Sequence, residues 1–423
     1  MKFIKTTLPN GLRVITVPMS DNPSVTVLVM VEAGSKYETK DMNGISHFLE
    51  HLVFKGTAKR PKAIDISKEF DAMGAEHNAF TSQEYTGYYA KADAKRCDDL
   101  VEILSDMYIN PLFDKDEMEK EKGVIIEEMR MYNDLPQHIV SNLFEELLYG
   151  DQPAGWKIIG TEENINKCSR EDVVKYRNAH YRSASTIVIV SGSFDENKTI
   201  AHIEKSFAPM ALGKSDPKLP VIEKQDKPMI KAFFKETDQT HLVIGGRTFS
   251  AKDARIPVAR VLAAILGKGM SSRLFSKMRN DLGICYYIDA SHSTSTDHGE
   301  FTVSAGVDNS RVEQAVKEIL RELSEVKNEL VSDEELKKVK DFMSGHIMLG
   351  LETSDARGEF CAYQEILKGK IDSPNEVISK IQAVTAEQVR DLAKEIFVDK
   401  NLNMAIVGKY KDESQFKDYF KFS

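Results

Sequence analysis

His47, Glu50 and His51 fall within five residues of the apolar stretch GISHFLEHLVFKG, 44–56. On a helix, residues four apart lie one turn above another, so both imidazoles project from one face with the carboxylate beside them. Two neutral imidazoles suit a borderline metal such as zinc, and a carboxylate between them can take a proton from water. The order His-x-x-Glu-His is the inverse of the commoner His-Glu-x-x-His. The flanking Ile45, Phe48, Leu49, Leu52 and Val53 predict a largely buried helix, where unpartnered imidazoles and carboxylates are costly. A solvent-facing patch of two histidines and a glutamate is the plain alternative.

A catalytic zinc site takes three protein ligands. The acidic segment DKDEMEKEKGVIIEEMRMYND, 114–134, supplies candidates for the third: Glu121 and Glu128 are seven apart and share a helix face. His77 is a candidate for a fourth ligand in a closed structural site, though a surface or substrate-contacting role suits it better.

The elements that must position these residues occur twice. SREDVVKYRNAHYRSASTIVIVSGSF, 169–194, and TAEQVRDLAKEIFVDKNLNMAIVGKY, 385–410, both read as a capped amphipathic helix, a turn and an apolar strand. The same offset of 216 residues superposes EYTGYYAKADAKRCDDLVEIL, 84–104, on EFTVSAGVDNSRVEQAVKEIL, 300–320. Two separated stretches at one offset imply a duplication. The reading is α+β: two duplicated domains, each a mostly antiparallel sheet covered on one face by helices. The expected boundaries are 1–210, a Pro- and Lys-rich linker at 211–228, and 229–423. At the shifted positions of the triad stand Ala263, Leu266 and Gly267. The fold can therefore be built without the triad, and the metal site is expected in the N-terminal copy only.

Composition narrows the function classes. A net charge of −9 disfavours nucleic acid, whose phosphates need a basic surface. No run approaches the length of a membrane span. The four cysteines are isolated, which argues against a thiolate zinc site and fits a reducing compartment. The opening MKFIKTTLPNGLRVITV reads as strand, turn and strand, without the pattern of a signal or transit peptide.

With these residues in hand, the chain resembles the pitrilysin–insulinase family of zinc metallopeptidases, from TLPNGLRV to the last strand. It is most similar to the short type, which includes the mitochondrial processing peptidase β subunit and its bacterial relatives. In that family the ligand glutamate follows the motif after 76 intervening residues, which points to Glu128 rather than Glu127; an acid seven residues earlier, Glu121, would orient a ligand. The stretch GAEHNAFTSQEYTGYY, 74–89, is similar to the family's strand that pairs with bound peptide, so Asn78, Ala79 and Phe80 would lie along the substrate. In MRNDLGICYYI, 278–288, Arg279 and, by its spacing, Tyr286 rather than Tyr287 would act from the metal-free half on the substrate carbonyl. The resemblance implies a Zn²⁺-dependent endopeptidase for short or unfolded peptides, working as a homodimer around a chamber. The expected setting is bacterial cytoplasm, ahead of the mitochondrial matrix. The alternatives are a presequence-processing subunit needing an unlike partner and a non-catalytic structural subunit.

Overall fold

Short apolar strands recur in both halves of the chain, and in the computed structural model, which describes residues 1–422, they form two sheets. The first contains β1 (Ile4–Thr7), β2 (Arg13–Pro18), β3 (Ser24–Val31), β4 (Glu76–Thr81), β5 (Thr86–Asp93) and β6 (Thr186–Gly192), in the order β1-β2-β6-β3-β5-β4. The second contains β7 (Met229–Phe234), β8 (Gln239–Thr248), β9 (Cys285–Thr294), β10 (Gly299–Asp308) and β11 (Asn403–Gly408), in the order β7-β11-β8-β10-β9. Every pairing is antiparallel except β2 with β6 and β7 with β11.

The helices are α1 (Ile45–Val53), α2 (Ala63–Met73), α3 (Cys97–Ile109), α4 (Lys115–Asp134), α5 (Pro136–Tyr149), α6 (Glu162–Lys167), α7 (Arg170–His180) and α8 (Glu196–Phe207). They continue with α9 (Ile256–Gly267), α10 (Val312–Asn328), α11 (Asp333–Leu349), α12 (Ser354–Lys368), α13 (Pro374–Gln382) and α14 (Ala386–Ile396). Among the described residues, no helix is long and apolar enough to cross a membrane.

The duplication is a property of the topology. An offset of 216 carries β2 onto β7 and α7 onto α14 residue for residue, and strands at equivalent positions occupy equivalent places in the two sheets. Both helices begin with a capping box, Ser169 with Asp172 and Thr385 with Gln388.

The chain does not divide at one point. One compact unit comprises Met1–Arg130, Trp156–Leu219 and Leu349–Ser373; the other comprises Met131–Gly155, Pro220–Met348 and Pro374 onward. The contiguous division at 211–228 thus gives way to an interleaved one, because each half lends a helix to the other half's sheet. In the first unit, Cys361, Ala362 and Ile366 of α12 pack on Ile15, Val17, Leu28, Met30, Ile187 and Ile189. In the second, Val140, Leu143, Phe144 and Leu148 of α5 pack on Val243, Ala405 and Val407. The opposite faces carry the larger cores, under α1, α3 and α7 in the first unit and α9, α10 and α14 in the second. The expectation of helices on one face is corrected: both faces are covered. Burial on both sides explains why SVTVLVMV and TIVIVSG are continuous apolar runs rather than alternating ones.

Candidate metal centre

Helix α1 is built to carry polar groups over a buried base. Phe48, Leu49, Leu52 and Val53 are at most 1% exposed. Its first turn is held by a residue outside it: the carboxylate of Glu38 accepts from the backbone N–H groups of Gly44 and Ser46, both at 2.8 Å, and from Asn43 Nδ2 at 2.9 Å. An anion at a helix N-terminus satisfies orphan donors and meets the positive end of the dipole. Burial nevertheless raises the Glu38 pKa, and the hydrogen bonds only offset it. Gly44 sits at φ 103°, where a side chain is strained, and a Cβ would meet the Ile159 carbonyl oxygen at 2.8 Å. The hydroxyl of Ser46 lies 2.7 Å from that of Tyr176, tying α1 to α7.

On the opposite side of α1, the structure brings His47, His51 and Glu128 together, each offering one ligand atom within 4.8 Å of the others. Glu128 Oε2 lies 3.8 Å from His47 Nε2 and 3.5 Å from His51 Nε2. Donors on a tetrahedral ion about 2.1 Å away would be separated by about 3.4 Å, so this set fits zinc. Three ligands, two nitrogens and one oxygen, make the donor set of an open catalytic site rather than a closed structural one. Glu128 belongs to α4, whose neighbour Glu127 is exposed and paired with Arg130 at 2.6 Å.

The surroundings orient the donors. Glu121 Oε1 lies 2.8 Å from His51 Nδ1, leaving Nε2 for the site, and its other oxygen takes Lys55 Nζ at 2.6 Å. Such a carboxylate sets ring orientation and ligand basicity. Burial alone would raise the Glu121 pKa; the hydrogen bonds from His51 and Lys55 outweigh it and hold the group below its usual range. Burial, and then the charge of His51, lowers the His47 pKa to about 3, and its buried Nδ1 has no hydrogen-bond partner among the described residues. The neutral imidazole is the form that ligates metals. Burial raises the Glu50 pKa, partly opposed by the hydrogen bond that Thr81 Oγ1 donates to Glu50 Oε2 at 2.5 Å.

Thr81 ends β4, the edge strand of its sheet. Asn78 is exposed, Ala79 and Phe80 half-buried. His77, on the same strand, stacks on Phe70 with ring centroids 4.1 Å apart and lies outside the donor set. Glu38 and Thr81 are the site residues that sequence reasoning missed. Glu38 sits beyond the first turn where capping acids are sought, and a threonine closing a strand has no distinctive spacing.

Arg279 and Tyr286 belong to the second unit and form their own pair. Arg279 lies in a π-helical segment, Phe275–Asp281, with its guanidinium 5.0 Å over the Tyr286 ring. The β9–β10 register shifts between Tyr287↔Gly306 and Cys285↔Val307, which leaves Tyr286 unpaired in a bulge and 68% exposed. Bulges re-aim side chains in this way. The adjacent Tyr287 instead reaches His241 Nδ1 at 3.0 Å.

In the second unit, α9 places Ala263, Leu266 and Gly267 in the core. A Cβ on Gly267 would meet the backbone nitrogen of Ala290 in β9 at 2.2 Å, so helix and strand touch where the first unit holds donors. Among the described residues, the only three-residue metal-donor cluster is in the first copy.

Residues 13–162 match the family model for insulinase, peptidase family M16, and residues 167–343 match that for the M16 inactive domain. The first match contains His47, Glu50, His51 and Glu128; the second contains Arg279 and Tyr286. The chain belongs to the insulinase family of peptidases, M16. It is 35% identical to the uncharacterized zinc protease YmxG of Bacillus subtilis, across 93% of this chain and 95% of that one. It is 31% identical to an uncharacterized zinc protease of Streptomyces coelicolor, across 97% and 90%. In fold it is similar to a protease from Helicobacter pylori (TM-score 0.89, 22% identity, 96% of this chain and 99% of that one). It is likewise similar to a chain of Complex III2 from Candida albicans (TM-score 0.84, 20% identity, 97% and 96%).

Proposed function

We propose that this protein is a zinc-dependent endopeptidase that cleaves short or unfolded peptides. The observation that carries the reading is the convergence of His47, His51 and Glu128 with the carboxylate of Glu50 on the same helical face. His47 Nε2, His51 Nε2 and Glu128 Oε2 would hold the ion, which when bound supplies a Lewis acid that polarises a carbonyl and acidifies water.

The rest follows from the chain's own groups. Glu50, as the ionised carboxylate, accepts the proton of an attacking water and passes it to the leaving amine nitrogen; burial raises its pKa, which makes it a stronger base. Thr81 holds one oxygen of that carboxylate, and it ends the strand whose open edge offers backbone donors and acceptors to an extended peptide. Backbone pairing gives loose selectivity, which suits unfolded substrates. Tyr286 is exposed and free to donate to a developing oxyanion, and Arg279 steadies its ring. Their assignment to this substrate rests on the family relationship. A homodimer enclosing a chamber, in bacterial cytoplasm, is the proposed setting.

The test is Glu50→Gln against an unstructured peptide. Zinc should stay near one per chain while cleavage falls by about 10²–10⁴-fold. Cleavage at the wild-type rate would overturn the mechanism, and a wild-type protein that purifies without zinc would favour a non-catalytic subunit.

A further inference from the structure

Strand β4 has two faces. Thr81 and His77 point toward α1 and α2, where Glu50 and Phe70 meet them. Phe80 points the other way, toward α12, with its ring 6.2 Å from Tyr85 and 6.3 Å from Tyr363. Tyr89, opposite Asn78 in the β4–β5 register, belongs to that second face. Helix α12 presents Asp355, Glu359 and Tyr363 there, spaced by four and so in one row.

The row is unevenly satisfied. Asp355 takes Lys91 Nζ at 2.7 Å. Tyr363 and Tyr85 pack at 5.4 Å. Glu359, between them and half-buried, has neither a cation nor a hydrogen-bond donor among the described residues. Burial raises its pKa, and the neighbouring Asp355 adds to this. Its charge reaches the phenols of Tyr85, Tyr89 and Tyr363. A lone carboxylate among aromatic faces is the chemistry that holds an ammonium or guanidinium group, by ion pairing and cation–π attraction together. A peptide paired to the edge of β4 would send alternate side chains to the two faces, one set toward the metal centre and the other toward this row.

We propose that Glu359, with Tyr85, Tyr89 and Tyr363, forms a subsite for a lysine or arginine side chain of an extended peptide bound along β4. The proposal rests on the peptidase reading above and adds a substrate preference: peptides carrying a cationic residue on the strand face turned away from the metal.

The test separates the two. In the Glu50→Gln protein, which is not expected to consume substrate, the affinities of two unstructured fluorescent peptides are compared by anisotropy. They differ only in a single Arg or Ala, scanned along the sequence. At one register the Arg peptide should bind about tenfold tighter, and Glu359→Gln in the same background should bring the ratio to near one. Glu359→Lys should reverse it in favour of a Glu peptide. A ratio near one at every position, or a preference that survives Glu359→Gln, would overturn the subsite. Failure of the peptidase reading would appear instead as absent cleavage by the protein with Glu50 intact.

Discussion

At the scale of single residues, the centre depends on groups that never touch an ion. Glu121 fixes the His51 ring through its Nδ1, so Glu121→Gln should weaken zinc binding by about 10–100-fold, measured by titration against a competing chelator. Thr81 acts on Glu50 alone, so Thr81→Val should lower kcat while zinc content and Tm stay near wild type; a matching loss of zinc would refute that division of roles. His180, away from the centre, makes stability depend on pH in mild acid. His180 is 6% exposed, packed against Tyr176 and Tyr37, and burial lowers its pKa to about 4. Between about pH 6.5 and 4 the unfolded chain takes up a proton that the folded one refuses. Stability from this group is therefore complete above pH 6.5 and falls as pH drops toward 4, by on the order of 3 kcal/mol. Melting His180→Phe beside wild type at pH 7.5 and 5 should show a smaller acid loss in the variant.

At the scale of elements, α1 and α9 are the same helix put to two uses. Gly267 lets α9 lie directly on β9, whereas α1 carries His47, Glu50 and His51 on its polar side. Gly267→His should restore the spelling of one ligand without a site. With 2.2 Å between a new Cβ and the Ala290 nitrogen, the expected outcome is a lower Tm and no second zinc. The α1 motif was legible in the sequence because its spacing follows from 3.6 residues per turn. Its N-terminal support from Glu38 was not, because that contact crosses the short helical turn Lys40–Met42, whose path no local rule dictates.

At the scale of the whole molecule, the exchange of α5 and α12 makes each sheet depend on the other half of the chain. A fragment of residues 1–210 would expose Ile15, Val17, Leu28, Met30, Ile187 and Ile189, the face that α12 covers. It should aggregate, and a peptide spanning 349–373 added in trans should improve its solubility; a monomeric, cooperatively melting fragment without the peptide would contradict this. The proposed homodimer is checked by sedimentation, which should return the mass of two chains.

Local pattern carried much of this protein. Helical spacing presented the two imidazoles and the carboxylate together, and the 216-residue offset announced two similar sheets, because periodicity and duplication are written along the chain. What tertiary structure alone decided was long-range: which helix covers which sheet, and how β4 comes to share one face with Glu50 and the other with Glu359. Those outcomes depend on contacts between residues tens to hundreds of positions apart, where burial of both sheet faces, rather than any neighbouring residue, sets the arrangement.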